Sequence, residues 1–532
     1  MSMAFVLAVF VVAIAGTAIP AQAQTYTDLH DFNPGAGDPY NFDSGRLSQG
    51  RDGNFYGESA NGGTSGAGTV FQLTPSGAAA IIHSFTGTDG SSPHGGLTLG
   101  VDGNFYGDAV SGGSSNYGSI FKVTPAGTLT VLHNFSNTGD GYNPYNALVL
   151  GLNGNFYGTT NSNPETIYQI TPAGTFKTVH TLTASEGYQG GQLTVGRDGK
   201  LYGAMNLGGA NGFGEAFKMT TSGSLTVLHN FDSTDGADAA SGMVQAANGK
   251  FYGGASLGGS SNAGVIYSVT SAGTFAVLHD LNGATDGYEP FGELILASDG
   301  NMYGTTNAHG SSNCGTIFQV TPAGSYSVIY NFDNTHGCNP REQVLQGTNG
   351  LLYGLVNSGG ANGNGAFYSL NAGLSSFISL MSASGVEGAK VEILGQGFSN
   401  ASVVKFGGTA ASIIAVTGTT YITATVPAGA LTGSIAVTTG ATTLNSLQTF
   451  KVLPTITGFT PPSGPVGTPV VITGTGLKQA TLVKFGSVKA TSFTVNSDTQ
   501  VTADVPAGAI TATIHITTKG GAAVSKTKFT VN

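Results

Sequence analysis

Six residues recur along this chain at a nearly fixed interval. "DGNFYG" stands at 52–57 and 102–107, "NGNFYG" at 153–158 and "DGNMYG" at 299–304. The tyrosine of this motif is found at Tyr56, Tyr106, Tyr157, Tyr202, Tyr252, Tyr303 and Tyr353, with gaps of 50, 51, 45, 50, 51 and 50 residues. A period of 40–50 in β-type sequence points to propeller blades, since one unit cannot bury its apolar face without its neighbours.

One copy shows the unit. "GGLTLGVDGNFYGDAV" (95–110) holds two apolar runs around Asp102-Gly103. Such a pair, Asp-Gly or Asn-Gly in all seven copies, predicts a type I′ hairpin in which both turn residues take positive φ. A Gly/Ser/Asn loop (111–118), a third run "SIFKVT" (119–124), a turn "PAG" (125–127) and a fourth run "TLTVLHNF" (128–135) follow. Four strands in meander order make one blade, the first innermost. The fourth-strand motif also occurs as "LHDF" at 29–32, before any complete unit, while the seventh unit has only three strands before the sequence changes near Gly373. The N-terminal "YTDLHDF" (26–32) is therefore expected to complete the seventh blade and remove an open edge.

Beyond Gly373 a second repeat begins. "SGVEGAKVEILGQGF" (384–398) aligns with "SGPVGTPVVITGTGL" (463–477) at an offset of 79, kept by "VKFG" (404–407, 483–486) and "VPAGA" (426–430, 505–509). Alternating runs with frequent turns predict two β-sandwiches. The expected organisation is all-β, with a signal peptide at 1–23, a seven-bladed propeller at 24–373, and Ig-like domains at 374–453 and 454–532.

These motifs carry a resemblance. The block "DGNFYGTT…GG…GTIFQVTPAG…LHNF" resembles the GloVer tandem-repeat family of exported bacterial proteins. The C-terminal pair resembles IPT/TIG immunoglobulin-like domains, whose pattern S-G-x-x-G-x-x-V-x-I-x-G-x-G-[FL], V-x-F-G, V-P the second copy matches closely. The first copy departs at "SLMSASG" (379–385), where the pattern has a Pro-containing segment. The resemblance implies export and modular architecture; the family carries no settled biochemical activity.

Charge and the N-terminus narrow the function classes. With 18 Lys+Arg against 28 Asp+Glu, the net charge of −10 opposes binding to nucleic acid or anionic membranes. "MSMAFVLAVFVVAIAGTAIPAQAQ" reads as a signal-peptide apolar region with an A-x-A site, cleaved before Gln24. No other segment approaches membrane-spanning length, so a secreted or cell-surface protein without a membrane span after cleavage is expected. Cys314 and Cys338 come from two loop types that share one face, and a disulfide between them within the sixth unit is expected in an oxidising compartment.

The candidate site lies in the loop entering each blade: "TDGSSP" (88–93), "GDGYNP" (139–144), "SEGYQG" (185–190), "TDGADA" (234–239) and "TDGYEP" (285–290). Asp89, Asp140, Glu186, Asp235 and Asp286 form an acidic circle, and Tyr142, Tyr188 and Tyr288 follow two residues later in three copies. The opposing reading is turn chemistry, an Asp bonding its own backbone before Gly. If the circle binds, calcium or a glycan stacked on Tyr is the expected ligand. The repeated His30, His83, His133, His180, His229 and His279 each lie in the outermost strand of a different blade, too far apart for the roughly 2 Å bonds of a shared metal. A repeated structural hydrogen bond is expected there, and blade-to-blade packing for the seven tyrosines. The shortened loop "NSNPE" (161–165) breaks the sevenfold symmetry.

There is no G-x-S-x-G, P-loop, H-E-x-x-H or D-x-D-x-D-G motif. The sequence thus favours a non-catalytic binding or adhesion protein for extracellular polysaccharide or cell-surface proteins. The alternative is a secreted polysaccharide hydrolase or lyase on the acidic rim. It requires Asp140 and Asp286 to converge within about 6–9 Å, with a raised pKa for one of them.

Overall fold

The computed structural model describes residues 24–42, 45–239 and 241–532. The expected signal peptide lies outside these. The described chain is all-β, apart from two short 3-10 turns at Pro34–Ala36 and Ala184–Glu186. Among the described residues no helix is long and apolar enough to cross a membrane.

Seven antiparallel sheets succeed one another over residues 25–371. The second is typical: Thr98–Leu99, Phe105–Ala109, Ser119–Val123 and Leu129–Asn134, each strand paired with the next. The seventh has Leu345–Gln346, Leu352–Val356 and Ala366–Asn371, and its fourth strand is Thr25–Asp31, in register from Thr25↔Asn371 to Asp31↔Ala366. The expected closing strand is in place.

The motif's aromatic residues tie each sheet to the next. Tyr56, Tyr106, Tyr157, Tyr202, Tyr252, Tyr303 and Tyr353 are all at most 2% exposed. Tyr56 packs on Phe105, Tyr106 on Phe156 and Tyr202 on Phe251, with centroids 3.8–4.2 Å apart. Tyr353 packs at 4.3 Å on Phe55 of the first sheet. Separate apolar clusters span every consecutive pair of sheets, and one joins the seventh to the first.

The hairpin differs from its expected type. The glycines Gly53, Gly103, Gly154, Gly199, Gly249, Gly300 and Gly350 have positive φ, but the Asp or Asn before each does not. Gly53 N–H donates to Gly50 O and Gly50 N–H to Asn54 O, so the link is a three-residue loop ending in a left-handed glycine. The side chain explains the change. Asp52 Oδ1 accepts from Asn54 N–H, and Asp52 Oδ2 accepts from the Tyr56 hydroxyl at 2.8 Å. Turn residue and buried tyrosine are thus one device, repeated with Asn as donor at Asn153, Asn248 and Asn349.

Two further units follow, each enclosing its own core: the first has two four-stranded sheets and a short two-stranded one, the second a four-stranded and a five-stranded sheet. In each, one sheet runs in the same order: Ser379–Leu380, Lys390–Leu394, Tyr421–Thr425, Ile413–Thr417 in the first, and Thr455–Thr460, Pro469–Thr475, Gln500–Asp504, Phe493–Ser497 in the second. The first unit abuts the repeat sheets. Arg51 Nη2 bonds Glu392 Oε2 at 2.5 Å, and the guanidinium lies 4.9 Å from the centre of the Tyr421 ring. Thr420 Oγ1 donates to Arg51 O, and Leu394 and Tyr421 join the cluster of Tyr56 and Phe105.

Candidate functional site

Each acid of the predicted circle is already engaged within its own repeat. Register shifts between third and fourth strands bulge the residue before each repeated histidine, and the ring meets the acid of the following loop. His83 Nε2 lies 2.9 Å from Asp89, His133 3.3 Å from Asp140, His180 3.2 Å from Glu186, His229 2.7 Å from Asp235 and His279 2.9 Å from Asp286. His30 and Asp38 repeat the contact. The same carboxylates accept backbone N–H groups, as from Thr86 to Asp89 and from Ser136 to Asp140. Burial alone raises these acids. The hydrogen bonds outweigh it, so Asp89, Asp140 and Glu186 are held below the usual carboxylate range. Asp140 is therefore not the raised carboxyl that the hydrolase reading asks of at least one of the pair. Among the described residues no group of three or more His, Cys, Asp or Glu is placed to hold a metal ion.

The three tyrosines part company. Tyr142 packs on Tyr117 at 5.4 Å and Tyr288 on His309 at 5.2 Å, whereas Tyr188 is 43% exposed. The difference begins in the preceding repeat. The link from second to third strand covers 60–68 in the first sheet and 110–118 in the second, but only 160–165 in the third. Elsewhere this loop supplies a carbonyl to the next repeat: Asn143 N–H donates to Tyr117 O, Glu289 N–H to Ala263 O and Asn339 N–H to Cys314 O. At the short loop the Glu165 carboxylate replaces it, accepting Gln189 N–H at 2.6 Å. Cys314 and Cys338 are bonded. The Cys338 backbone pairs with Ser358, just past the seventh sheet's strand Leu352–Val356, so the disulfide joins the sixth sheet's loop to the segment entering the seventh rather than closing within the sixth unit.

The segments that lead into the first strands converge on a cavity of about 110 Å³. All seven repeats reach it, through Arg46, Gly95, Asn146, Gln192, Gly242, Glu293 and Arg341. Arg46 Nη2 donates to Thr98 Oγ1 and Leu148 O at 2.6 and 2.7 Å, and its Nη1 lies 3.7 Å from Glu293 Oε2. Burial pushes the Glu293 carboxyl up to about 7 against the opposing pull of Arg46. Arg341 Nε donates to Asn307 Oδ1, and the guanidinium carbon lies 5.9 Å from the centre of the Phe291 ring. Asn146 Nδ2 donates to Gly190 O at 2.7 Å, crossing from the third repeat to the fourth. Asn161 Oδ1 and Asn206 Oδ1 are buried in this lining without a hydrogen-bond partner. The arrangement offers guanidinium and amide donors, free amide acceptors and aromatic edges. A larger cavity of about 480 Å³ lies between Ser48, Gln49 and Thr98 on one side and Phe377, Met381 and Leu394 on the other, and Arg46 lines both.

Arg46, Glu293 and Arg341 were not among the residues expected from sequence. Their signal is a break in the repeat: the positions of Arg46 and Glu293 are glycine in the second and fifth copies, Gly96 and Gly242, in a chain with only 18 Lys+Arg.

The sequence profile of the Gloeobacter/Verrucomicrobia repeat matches residues 42–247 and 189–421, and that of the IPT/TIG domain matches 454–531. No curated protein matches the chain. Among solved structures it is similar to the extracellular domain of a B. thetaiotaomicron protein described as a hybrid two-component system, at 12% identity and a TM-score of 0.44, over 94% of this chain and 66% of that one. A second B. thetaiotaomicron extracellular domain, described as a one-component system, gives 10% identity and 0.43, over 94% and 57%. PorZ, described as a bacterial surface component of the type-IX secretion system of Porphyromonas gingivalis, gives 14% and 0.40, over 77% and 60%. The chain thus spans two thirds or less of each of these structures.

Proposed function

The chain belongs to the Gloeobacter/Verrucomicrobia repeat family, with an IPT/TIG domain at its C-terminal end, and from that premise we propose that it is an exported binding protein. In this reading the seven sheets are the blades of a closed propeller at 24–373, and the two following units are Ig-like sandwiches at 374–453 and 454–532. The propeller recognises a neutral, hydroxyl-rich ligand, a glycan, at the mouth of its channel. The cavity at which all seven repeats meet carries the proposal. Its unpartnered Asn161 and Asn206 oxygens call for donors, and sugar hydroxyls, which both donate and accept, supply them.

The rim acids take a supporting place: Asp89, Asp140, Glu186, Asp235 and Asp286 shape the entry loops, while Tyr188 stays available to a ligand. The test is binding of chain 24–532 to a polysaccharide array, with calcium and with EDTA, beside Asn206→Leu and Arg341→Ala. Selective binding lost in both variants and indifferent to EDTA is the expected result. Loss with EDTA returns the site to a calcium-bearing rim. A blank array ends the glycan reading and makes a cell-surface protein the partner to seek.

One observation favours the enzyme alternative. The Glu293 carboxyl, pushed up to about 7 beside the cavity, is suited to donate a proton near neutral pH. Release of reducing ends or unsaturated products by the wild type, abolished in Glu293→Gln, would establish a hydrolase or lyase.

A further inference from the structure

The ring is broken at one place, between the third and fourth repeats, and three observations coincide there. First, the loop at 160–165 lacks the extra residues that its counterparts use to reach over the next repeat. Second, the single bridge that the other repeats make here, such as Ser91↔Ser111 and Tyr288↔Ala308, is lengthened in the fourth repeat to a short strand, Tyr188–Gly190, paired through Tyr188↔Leu207 and Gly190↔Met205. Third, the side chains beside the missing cover are open: Tyr188 is 43% exposed, Phe213 39% and Leu207 37%. The backbone joins Phe213 to the group through its bridge to Gly208, and Gly208 lies against the Tyr188 ring.

This patch is continuous with the central cavity. Gln189, next to Tyr188, lines it, as do Gly190, Asn161 of the short loop and Asn206, next to Leu207. Gln189 is itself exposed and held at φ 56°. The path from mouth to rim therefore begins at two unpartnered amide oxygens and ends on an aromatic and aliphatic surface. Two acids lie beneath it: Glu165 is occupied by Gln189 N–H, and Glu215, against Gly209, is fully buried, where desolvation pushes its carboxyl up to about 8.

We infer that this gap is a binding track for a linear neutral polysaccharide, whose sugar hydroxyls bond the amides at the mouth and whose ring faces stack on Tyr188 and Phe213. The inference rests on the glycan reading of the channel mouth and specifies the ligand as a chain that leaves the channel in one direction. A neutral occupant fits because the exposed groups along the track are amide, aromatic and aliphatic, with Glu165 occupied and Glu215 buried out of reach. A polysaccharide fits because apolar ring faces and polar edges must alternate along it. A compact ligand held at the mouth alone has no use for the outer platform.

The experiment compares short and long neutral oligosaccharides of one linkage, taken from an array hit, by calorimetric titration of chain 24–532. Tyr188→Ala and Phe213→Ala are expected to weaken the long oligomer at least about tenfold and to leave the disaccharide unchanged. A graft replacing 160–165 with the nine-residue loop 110–118 should do the same by covering the track, and a retained thermal melt confirms that the graft folds. Equal affinity of wild type, both alanine variants and the graft for the long oligomer overturns the track while leaving the mouth intact. If instead Asn206→Leu has no effect on any oligomer, the mouth reading falls, and the two failures are told apart.

Discussion

At the scale of single residues, the chain uses its few ionisable groups in two opposite ways. Asp89, Asp140 and Glu186 are held in their charged form by hydrogen-bond donors, so the stability they add is present above their ordinary range near pH 4 and is lost as the pH falls through their lowered values. His133 acts in the same sense, because burial outweighs the attraction of Asp140 and disfavours the protonated ring. Asp140→Ala strands the His133 ring and the Ser136 and Thr138 amides together. A loss of about 2 kcal/mol in urea unfolding at pH 7 is expected. Asp108 goes the other way. It is 1% exposed, and burial pushes its carboxyl up to about 8 despite the Tyr168 hydroxyl. Its contribution is full below its ordinary value near 4 and has gone once the pH has risen through 8. The wild type should lose at least about 2–4 °C in Tm between pH 5 and 9 through this group, and Asp108→Asn should lose less. Equal slopes for the two proteins would refute the assignment. A structural hydrogen bond at each repeated histidine and a turn role for the acids were legible in the sequence; which group meets which was not. The acids and histidines were visible as a pattern, but their pairing depends on a bulge that no repeated letter announces, and Asp108 looks like any surface aspartate until its neighbours are known.

Among elements, the four-strand repeat could be read directly, since period, turn residues and alternating apolar runs all point one way. The turn type was misjudged because Asp-Gly suits two hairpins, and the choice between them is made by a hydrogen bond to a tyrosine four residues on. Glycines in equivalent sheets are not equivalent either. Gly127 has φ 87°, and a Cβ there would stand 1.9 Å from the Ile82 carbonyl of the preceding repeat, whereas Gly300 at φ 83° has open space around it. Gly300→Ala should cost about 1 kcal/mol through backbone strain alone. Gly127→Ala should cost at least about 2 kcal/mol more, because a backbone carbonyl must move; paired denaturation curves measure the difference. The disulfide spans a sequence separation of 24, which by loop closure is worth about 3 kcal/mol. Reduction should lower stability by an amount of that order, and Cys338→Ser should abolish the effect of reductant.

Over the whole molecule, closure is the feature from which most else follows, and it was legible because one fourth-strand motif precedes the first complete unit. The central cavity was not, because its residues are separated by about fifty positions and are brought together only when the sheets pack one on the next and the seventh on the first. A chain beginning at residue 34 would leave Ala366–Asn371 an unpaired edge and remove Tyr26 from its stack on Tyr330 and Tyr368. It should melt without cooperativity and associate in light scattering, where chain 24–532 stays monodisperse. Closure also imposes a timetable. The strand made first pairs with one made about 335 residues later. At the usual pace of synthesis, about 5–20 residues per second, the leading segment waits roughly 20–70 seconds for its partner. Until then the growing chain has two loose ends seeking any β edge, its own or another's. The ring is thus an audit of completeness: a product cut short anywhere before Asn371 cannot lock, and its unpaired strands mark it out for aggregation or destruction.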